Sequence, residues 1–251
     1  MDTTNRTGGS PTVVLVHGAF ADGSSWKGVI ERLQAKGVKV TAPAVPLRGL
    51  AIDSAYVASV LEQTPGPVVA VGHSYGGAVI TNAAYRAKNV VGLVFVSAFA
   101  PEVGERLGEV EGPSRDSVLM SALVTRQYPG ADGGEPAVEF VIDPVRFHDA
   151  FAADLPIKET AVMAATQRPA AESSFSQPTT AAAWKDLPSW AVVATGDRAA
   201  GADVVRSMAQ RAGAKITEVE GSHVIMISRP DVVAGVILEA VASVGAVAAV
   251  G

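Results

Sequence analysis

Three stretches of this sequence, Thr12 to Val16, Val68 to Val71 and Val90 to Val96, are apolar at nearly every position. A strand with one wet face alternates apolar and polar residues, whereas a short run apolar on both faces belongs inside a parallel sheet covered by helices. The intervening segments can supply those helices. Trp26, Val29, Ile30 and Leu33 fall at i, i+3, i+4 and i+7, one apolar helix face closed by Gly37. Val38 to Ala42 reads as a further strand ended by Pro43 and Pro46. Asp53 to Gln63 reads as a helix broken by Thr64-Pro65-Gly66-Pro67, and Gly76 to Ala87 as another. The alternation resumes with a strand at Trp190 to Thr195, a helix near Asp203 to Arg211 and a strand at Lys215 to Val219. A last helix starts at about Arg229, with Ser228 and Asp231 as its capping pair and Pro230 in its first turn.

Between these blocks, residues 101 to about 183 change in character. They are richer in Pro, Gly, Ser and charge, weaker in periodicity, and carry Tyr128, Phe140, Phe147, Phe151 and Phe175. They read as an insertion lying over the sheet, so one domain of 251 residues is expected, with its core in 1–100 and 184–251. A hydrophobic content of 48% with 18% charged residues describes a globular chain. Its net charge of -5 comes without a Lys/Arg run, so neither a nucleic acid nor a membrane surface is expected as a partner. The absence of cysteine excludes thiol catalysis, disulfides and zinc-thiolate sites. The N-terminal MDTTNRTGGSPT lacks the apolar segment of a secretory signal, and no uninterrupted apolar run reaches the ~18 residues of a membrane helix. A cytoplasmic location is the expectation. The apolar tail from Val232 to Val250, interrupted by Glu239, reads as a packed helix that frays at its end. A homodimer is compatible with all of this.

The third strand runs into Gly72-His73-Ser74-Tyr75-Gly76, a G-x-S-x-G pattern with a strand before it and a helix after it. That context makes it a nucleophile elbow, in which a strained backbone lifts a serine Oγ above the sheet and glycines make room for the turn. A dinucleotide-binding turn also joins strand to helix, but it needs G-x-G-x-x-G and an acidic residue ending the next strand. Neither is present here.

A serine nucleophile requires a base, and the chain has four histidines. His73 neighbours Ser74 on the strand and should point away into a buried face. His17 ends the first strand, where bracing the next loop suits it better than a direct role. His148 lies in the insertion. His223 remains, in the loop after the last strand, on the same ligand-binding edge as Ser74. The acid should follow a strand reaching that edge; Asp197 in ATGDRAAG fits, with Asp203 as the reserve. The order serine, acid, histidine is that of the elbow-bearing hydrolases. Oxyanion donors are expected from the backbone N–H groups of Tyr75, after the nucleophile, and of Ala19 in the loop His17-Gly18-Ala19-Phe20.

Together VLVHGAFADGSSW, GHSYGGAVI and VEGSHVIMISRP resemble the α/β-hydrolase superfamily. Within it they are similar to the small cofactor-free esterases that include plant methylesterases, their bacterial relatives and the hydroxynitrile lyases. The resemblance implies an α/β fold with a mostly parallel central sheet, flanking helices and a helical cap. It further implies a Ser/His/Asp esterase acting on a small-molecule carboxylic ester with neither metal nor organic cofactor. The lyases carry a threonine after the HG-type histidine and a lysine after the catalytic one; Gly18 and Val224 stand there instead, favouring hydrolysis. Phe20, Gly18 and Val224 are the expected substrate contacts, with Phe99 and the insertion aromatics as further walls. Other reactions on the same site (lactone or C–C bond hydrolysis, perhydrolysis, cyanohydrin cleavage) and a non-enzymatic small-molecule receptor are the alternatives.

Overall fold

The computed structural model describes residues 10–130 and 134–248, with side chains described to residue 245. The chain begins with β1 (Thr12–Val16), α1 (Lys27–Ala35), β2 (Val40–Thr41), α2 (Leu50–Gln63), β3 (Val68–His73), α3 (Tyr75–Arg86) and β4 (Val90–Val96). The insertion holds α4 (Leu107–Glu111), α5 (Leu119–Ala122), β5 (Leu123–Tyr128), β6 (Ala137–Ile142), α6 (Phe147–Phe151), α7 (Ile157–Thr166), β7 (Ala170–Ala171) and α8 (Ser173–Ser176). It returns through β8 (Ser189–Ala194), α9 (Ala202–Arg211), β9 (Lys215–Val219), α10 (Ile225–Ser228) and α11 (Pro230–Ala248).

Six strands form one parallel sheet in the order β2-β1-β3-β4-β8-β9. The inner strands β1, β3 and β8 are buried along their whole length, which is why they carry Val, Leu and Ala on both faces. The edge strand β9 keeps polar residues because one side of it reaches solvent. Helices flank the sheet in packed pairs, α1 with α11 and α2 with α3. Among the described residues no helix is long and apolar enough to cross a membrane.

Two details differ from the sequence-based expectation. The insertion is not purely helical: β5, β6 and β7 form a second, antiparallel sheet within it. Its strands left little signal because β5 faces solvent with Thr125, Arg126 and Gln127, and β7 is only two residues long. The start of the last helix also differs. Ser228 ends α10 and does not cap α11, and Asp231 is ion-paired with Arg32 of α1; Pro230 does open the helix. The expected fraying of the tail falls on residues outside those described.

The insertion and the sheet share one apolar core: Leu119, Ile142, Phe147 and Phe151 belong to the same cluster as Val13–Val16 and Val68–Val71. Polar ties reinforce the packing beside the end of β1. His17 is buried; its Nε2 accepts the Val45 N–H at 3.0 Å, so its Nδ1–H donates to the Gly18 carbonyl at 2.9 Å. Arg168 of the insertion donates to the Val45 carbonyl at 2.8 Å. Burial pushes the His17 pKa down to about 4, and the Arg168 charge pushes the same way against the Gly18 hydrogen bond.

The turn between β3 and α3 is held at backbone contact. A Cβ on Gly72 would lie 2.5 Å from the Gly76 carbonyl oxygen, and one on Gly76 would lie 2.4 Å from that of Val16. These atoms belong to sheet and helix backbone and cannot step aside as a side chain could. A Cβ on Gly77 would meet the Phe99 carbonyl oxygen at 2.3 Å, so α3 sits directly against the loop leaving β4.

Two outcomes follow. Gly76→Ala must separate α3 from the end of β1, and a loss of about 3 kcal/mol in urea unfolding is expected; an unchanged midpoint would contradict the contact. His17 has its folded pKa below the unfolded 6.5, so its stabilisation is complete above that pH and is lost as pH falls toward 4. Relative to His17→Gln, the wild-type protein should lose up to about 3 kcal/mol across that window. Parallel pH dependences for the two proteins would show that His17 is not buried neutral.

Candidate active site

The parallel register brings the C-terminal ends of β1, β3, β8 and β9 to one edge, and the loops leaving them carry Gly18 and Ala19, Ser74, Asp197 and His223. Ser74 stands between β3 and α3 with φ 54° and ψ −124°, a conformation that residues other than Gly rarely adopt. The turn is locked by its own backbone. Ser74 N–H donates to the Val96 carbonyl, and its carbonyl accepts from Gly77 and Phe99. Its hydroxyl makes no protein hydrogen bond among the described residues, and neither do the N–H groups of Ala19 and Tyr75 donate to a protein acceptor there. Gly18 seats the first of these loops on the serine, since a Cβ at Gly18 would fall 2.7 Å from Ser74 Cβ.

Asp197 and His223 are both about 1% exposed and joined, His223 Nδ1 lying 2.8 Å from Asp197 Oδ2. Asp197 Oδ1 accepts the N–H groups of Ala199 and Ala200 at 2.9 and 3.0 Å, so one oxygen anchors the carboxylate and the other faces the imidazole. That pairing fixes the proton on Nδ1 and leaves the Nε2 lone pair free. Asp203, the reserve acid, is engaged elsewhere: it accepts from Ser114 Oγ at 2.6 Å and from Arg115 N–H at 2.9 Å, holding the insertion to the start of α9. His148 lies on α6, its Nδ1 3.3 Å from Thr160 Oγ1.

His73 is fully buried as expected, but its surroundings add a function that its position on the strand did not suggest. Its Nε2–H donates to the His223 carbonyl at 3.0 Å, and the two rings lie 4.6 Å apart. Burial first, and the neighbouring His223 second, hold His73 well below the usual imidazole range, so it braces the His223 loop as a neutral ring.

Two carboxylates that no local pattern singles out also support the site. Asp154, beyond α6, accepts from both the N–H and the hydroxyl of Ser222, one residue before His223. Against the cost of its burial, those hydrogen bonds keep Asp154 below the usual carboxylate range. Asp53 on α2 accepts the Tyr75 hydroxyl at 2.7 Å and the Arg48 N–H at 3.1 Å, tying the residue after the serine to the helix beside it. Burial raises the Asp53 pKa despite these bonds. Both contacts join residues far apart in the chain, so only the fold reveals them.

Apolar surface surrounds this edge. Phe20 stacks on Phe175 and meets Phe151 edge-on, both with centroids at 6.3 Å, and Phe151 lies 5.1 Å from the His223 ring. Phe175 also contacts Tyr75 and Phe140. On its outer side Phe20 borders a surface cavity of about 270 Å³ with Ser24, Lys27, Met163 and Ile227. Of the other expected contact residues, Gly18 touches Ser74, while Val224 is fully buried in the core as the residue leading into α10. Phe99 is buried with its backbone on Ser74. Among the described residues no group of three or more His, Asp or Glu is placed to hold a metal ion.

The model of the alpha/beta hydrolase family matches residues 13–236. No curated protein sequence is similar enough to this chain to count as a match. Among solved structures, polyneuridine aldehyde esterase superposes with a TM-score of 0.77 at 20% identity, covering 92% of this chain and 99% of that one. An extracellular alpha/beta-hydrolase from a Paenibacillus species, described as sharing structural and functional homology with tobacco salicylic acid binding protein 2, gives 0.74 at 19% identity over 92% and 98%. A pyrethroid hydrolase from Sphingobium faniae JZ-2 gives 0.74 at 20% identity over 92% and 97%. With the family model spanning nearly all of the sheet and the structures matching across the whole architecture, the chain belongs to the alpha/beta hydrolase family.

Proposed function

We propose that this hydrolase is a serine esterase that cleaves small to medium carboxylic esters through an acyl-enzyme on Ser74. The observation that carries the reading is the buried Asp197–His223 pair, 2.8 Å apart, on the same sheet edge as a serine held at φ 54° whose hydroxyl is unengaged among the described residues. In the first step His223 Nε2 takes the Ser74 proton as Oγ attacks the ester carbonyl, and the alcohol leaves with that proton. In the second, water deprotonated by His223 attacks the acyl-enzyme, and Ser74 recovers its proton as the acid departs. Asp197 holds the imidazole tautomer and stabilises the imidazolium without taking a proton itself. The N–H groups of Ala19 and Tyr75, which have no protein acceptor among the described residues, are the donors for the oxyanion, with the dipole of α3 behind Tyr75.

The apolar walls formed by Phe20, Phe151 and Phe175 suit an uncharged acyl or alcohol group. Two of the similar structures are an esterase and a pyrethroid hydrolase by name, which also supports an ester substrate. Gly18 offers no hydroxyl and Val224 no ammonium to manage a departing cyanide, which favours hydrolysis over cyanohydrin cleavage.

Kinetics on a panel of p-nitrophenyl and alkyl esters, with lactones and 1,3-diketones as the competing substrates, test this directly. Esters should be the best substrates, and Ser74→Ala and Asp197→Asn should lower kcat by about 10³-fold or more. A Ser74→Ala protein with full esterase activity, or lactones or 1,3-diketones turned over faster than every ester, would overturn the assignment.

A further inference from the structure

Helix α4 of the insertion ends in a carboxyl group that the reaction as described does not use. Glu111 is 2% exposed, and its Oε1 lies 2.8 Å from Ser117 Oγ. The same Ser117 oxygen lies 2.7 Å from the Ala199 carbonyl and accepts the Leu119 N–H at 3.2 Å. Proton counting decides what this arrangement means. A serine hydroxyl has one proton to give, and the Ala199 carbonyl can only accept. If Ser117 donates to Ala199, the short contact to Glu111 is a hydrogen bond only when Glu111 carries a proton of its own. With Glu111–O–H donating, Ser117 Oγ accepts twice and donates once, and all three of its short contacts are hydrogen bonds.

The chain ends on the proposed catalytic acid. Ala199, whose carbonyl is fixed by Ser117, donates its own N–H to Asp197 Oδ1, while Asp197 Oδ2 holds His223. We propose that Glu111 is a positioning residue for Asp197: as a neutral carboxylic acid it donates to Ser117, which locks the Ala199 carbonyl and so the loop that aims Asp197 at His223. The proposal rests on the reading of Asp197 and His223 as acid and base.

Burial pushes the Glu111 carboxyl up to about 7, with the Asp197 charge raising it further and Ser117 and His223 pulling it down. Asp197 and His223, from the loops after β8 and β9, are the titratable groups facing it, and α8, packed on α4, has none. As pH rises through this value Glu111 ionises and becomes an acceptor only. The single Ser117 proton then goes to the carboxylate, whose charge makes it the stronger acceptor, and the Ala199 carbonyl is released. The insertion thus senses pH at the loop that carries the catalytic acid.

Glu111→Gln tests this, because its amide donates to Ser117 at every pH and cannot ionise. The wild-type kcat/KM should fall by about threefold or more relative to Glu111→Gln between about pH 6 and pH 8.5, while the two proteins remain comparable at pH 6. Glu111→Ala should be impaired at both. Glutamate side-chain carboxyl signals read by ¹³C NMR in the Ser74→Ala protein give a measurement independent of turnover, in which the Glu111 signal should titrate near neutrality. An identical alkaline limb in wild type and Glu111→Gln, or a Glu111 signal already that of a carboxylate at about pH 5.5, would overturn the proposal. If Ser74→Ala retained esterase activity, the esterase assignment would fail on its own, while the NMR titration would still decide the charge of Glu111.

Discussion

The backbone contact between the end of β1 and the first turn of α3 is the constraint on which the rest of the site depends. With Gly76 packed on the Val16 carbonyl and Gly18 on Ser74, the chain leaving β3 has no room for an ordinary turn. Ser74 is therefore held at a positive φ of 54°, and among the described residues the N–H groups of Tyr75 and Ala19 have no protein acceptor. Strain of this kind, on the order of 1–3 kcal/mol, persists because β1, β3, α3 and the loop after β4 all hold it in place.

Around this rigid turn the insertion acts as a set of clamps. Asp154 holds Ser222 next to His223, Glu111 reaches the Asp197 loop through Ser117, Asp203 ties Ser114 to α9, and Arg168 holds Val45 beside His17. The loops bearing Asp197 and His223 are thus fixed from two sides, by the strands they leave and by polar groups of the insertion. Covering a site while orienting its loops with hydrogen bonds reduces the reorganisation a reaction would require.

The sheet was legible because its inner strands need apolar residues on both faces; Thr12–Val16, Val90–Val96 and Lys215–Val219 are strands with the limits expected from the sequence. The placement of Ser74, Asp197 and His223 on one edge was legible because each follows a strand end, and in a parallel sheet all such ends share an edge. The antiparallel strands of the insertion were not, since their pairing is local and partly solvated and imposes no long apolar run. Nor were Glu111, Asp154 and Asp53. Their importance comes from partners distant in the chain, and nothing in the few residues around an isolated acid tells a solvated carboxylate from one that clamps a loop.

The most direct test of the central claim is to trap the covalent intermediate. Rapid acid quenching during turnover of p-nitrophenyl acetate, followed by peptide mass spectrometry, should find an acetyl group on the peptide containing Ser74, with Ser74 as the modified residue. The adduct should be lost in His223→Ala. Sustained hydrolysis with an unmodified Ser74 under the same conditions would contradict the account.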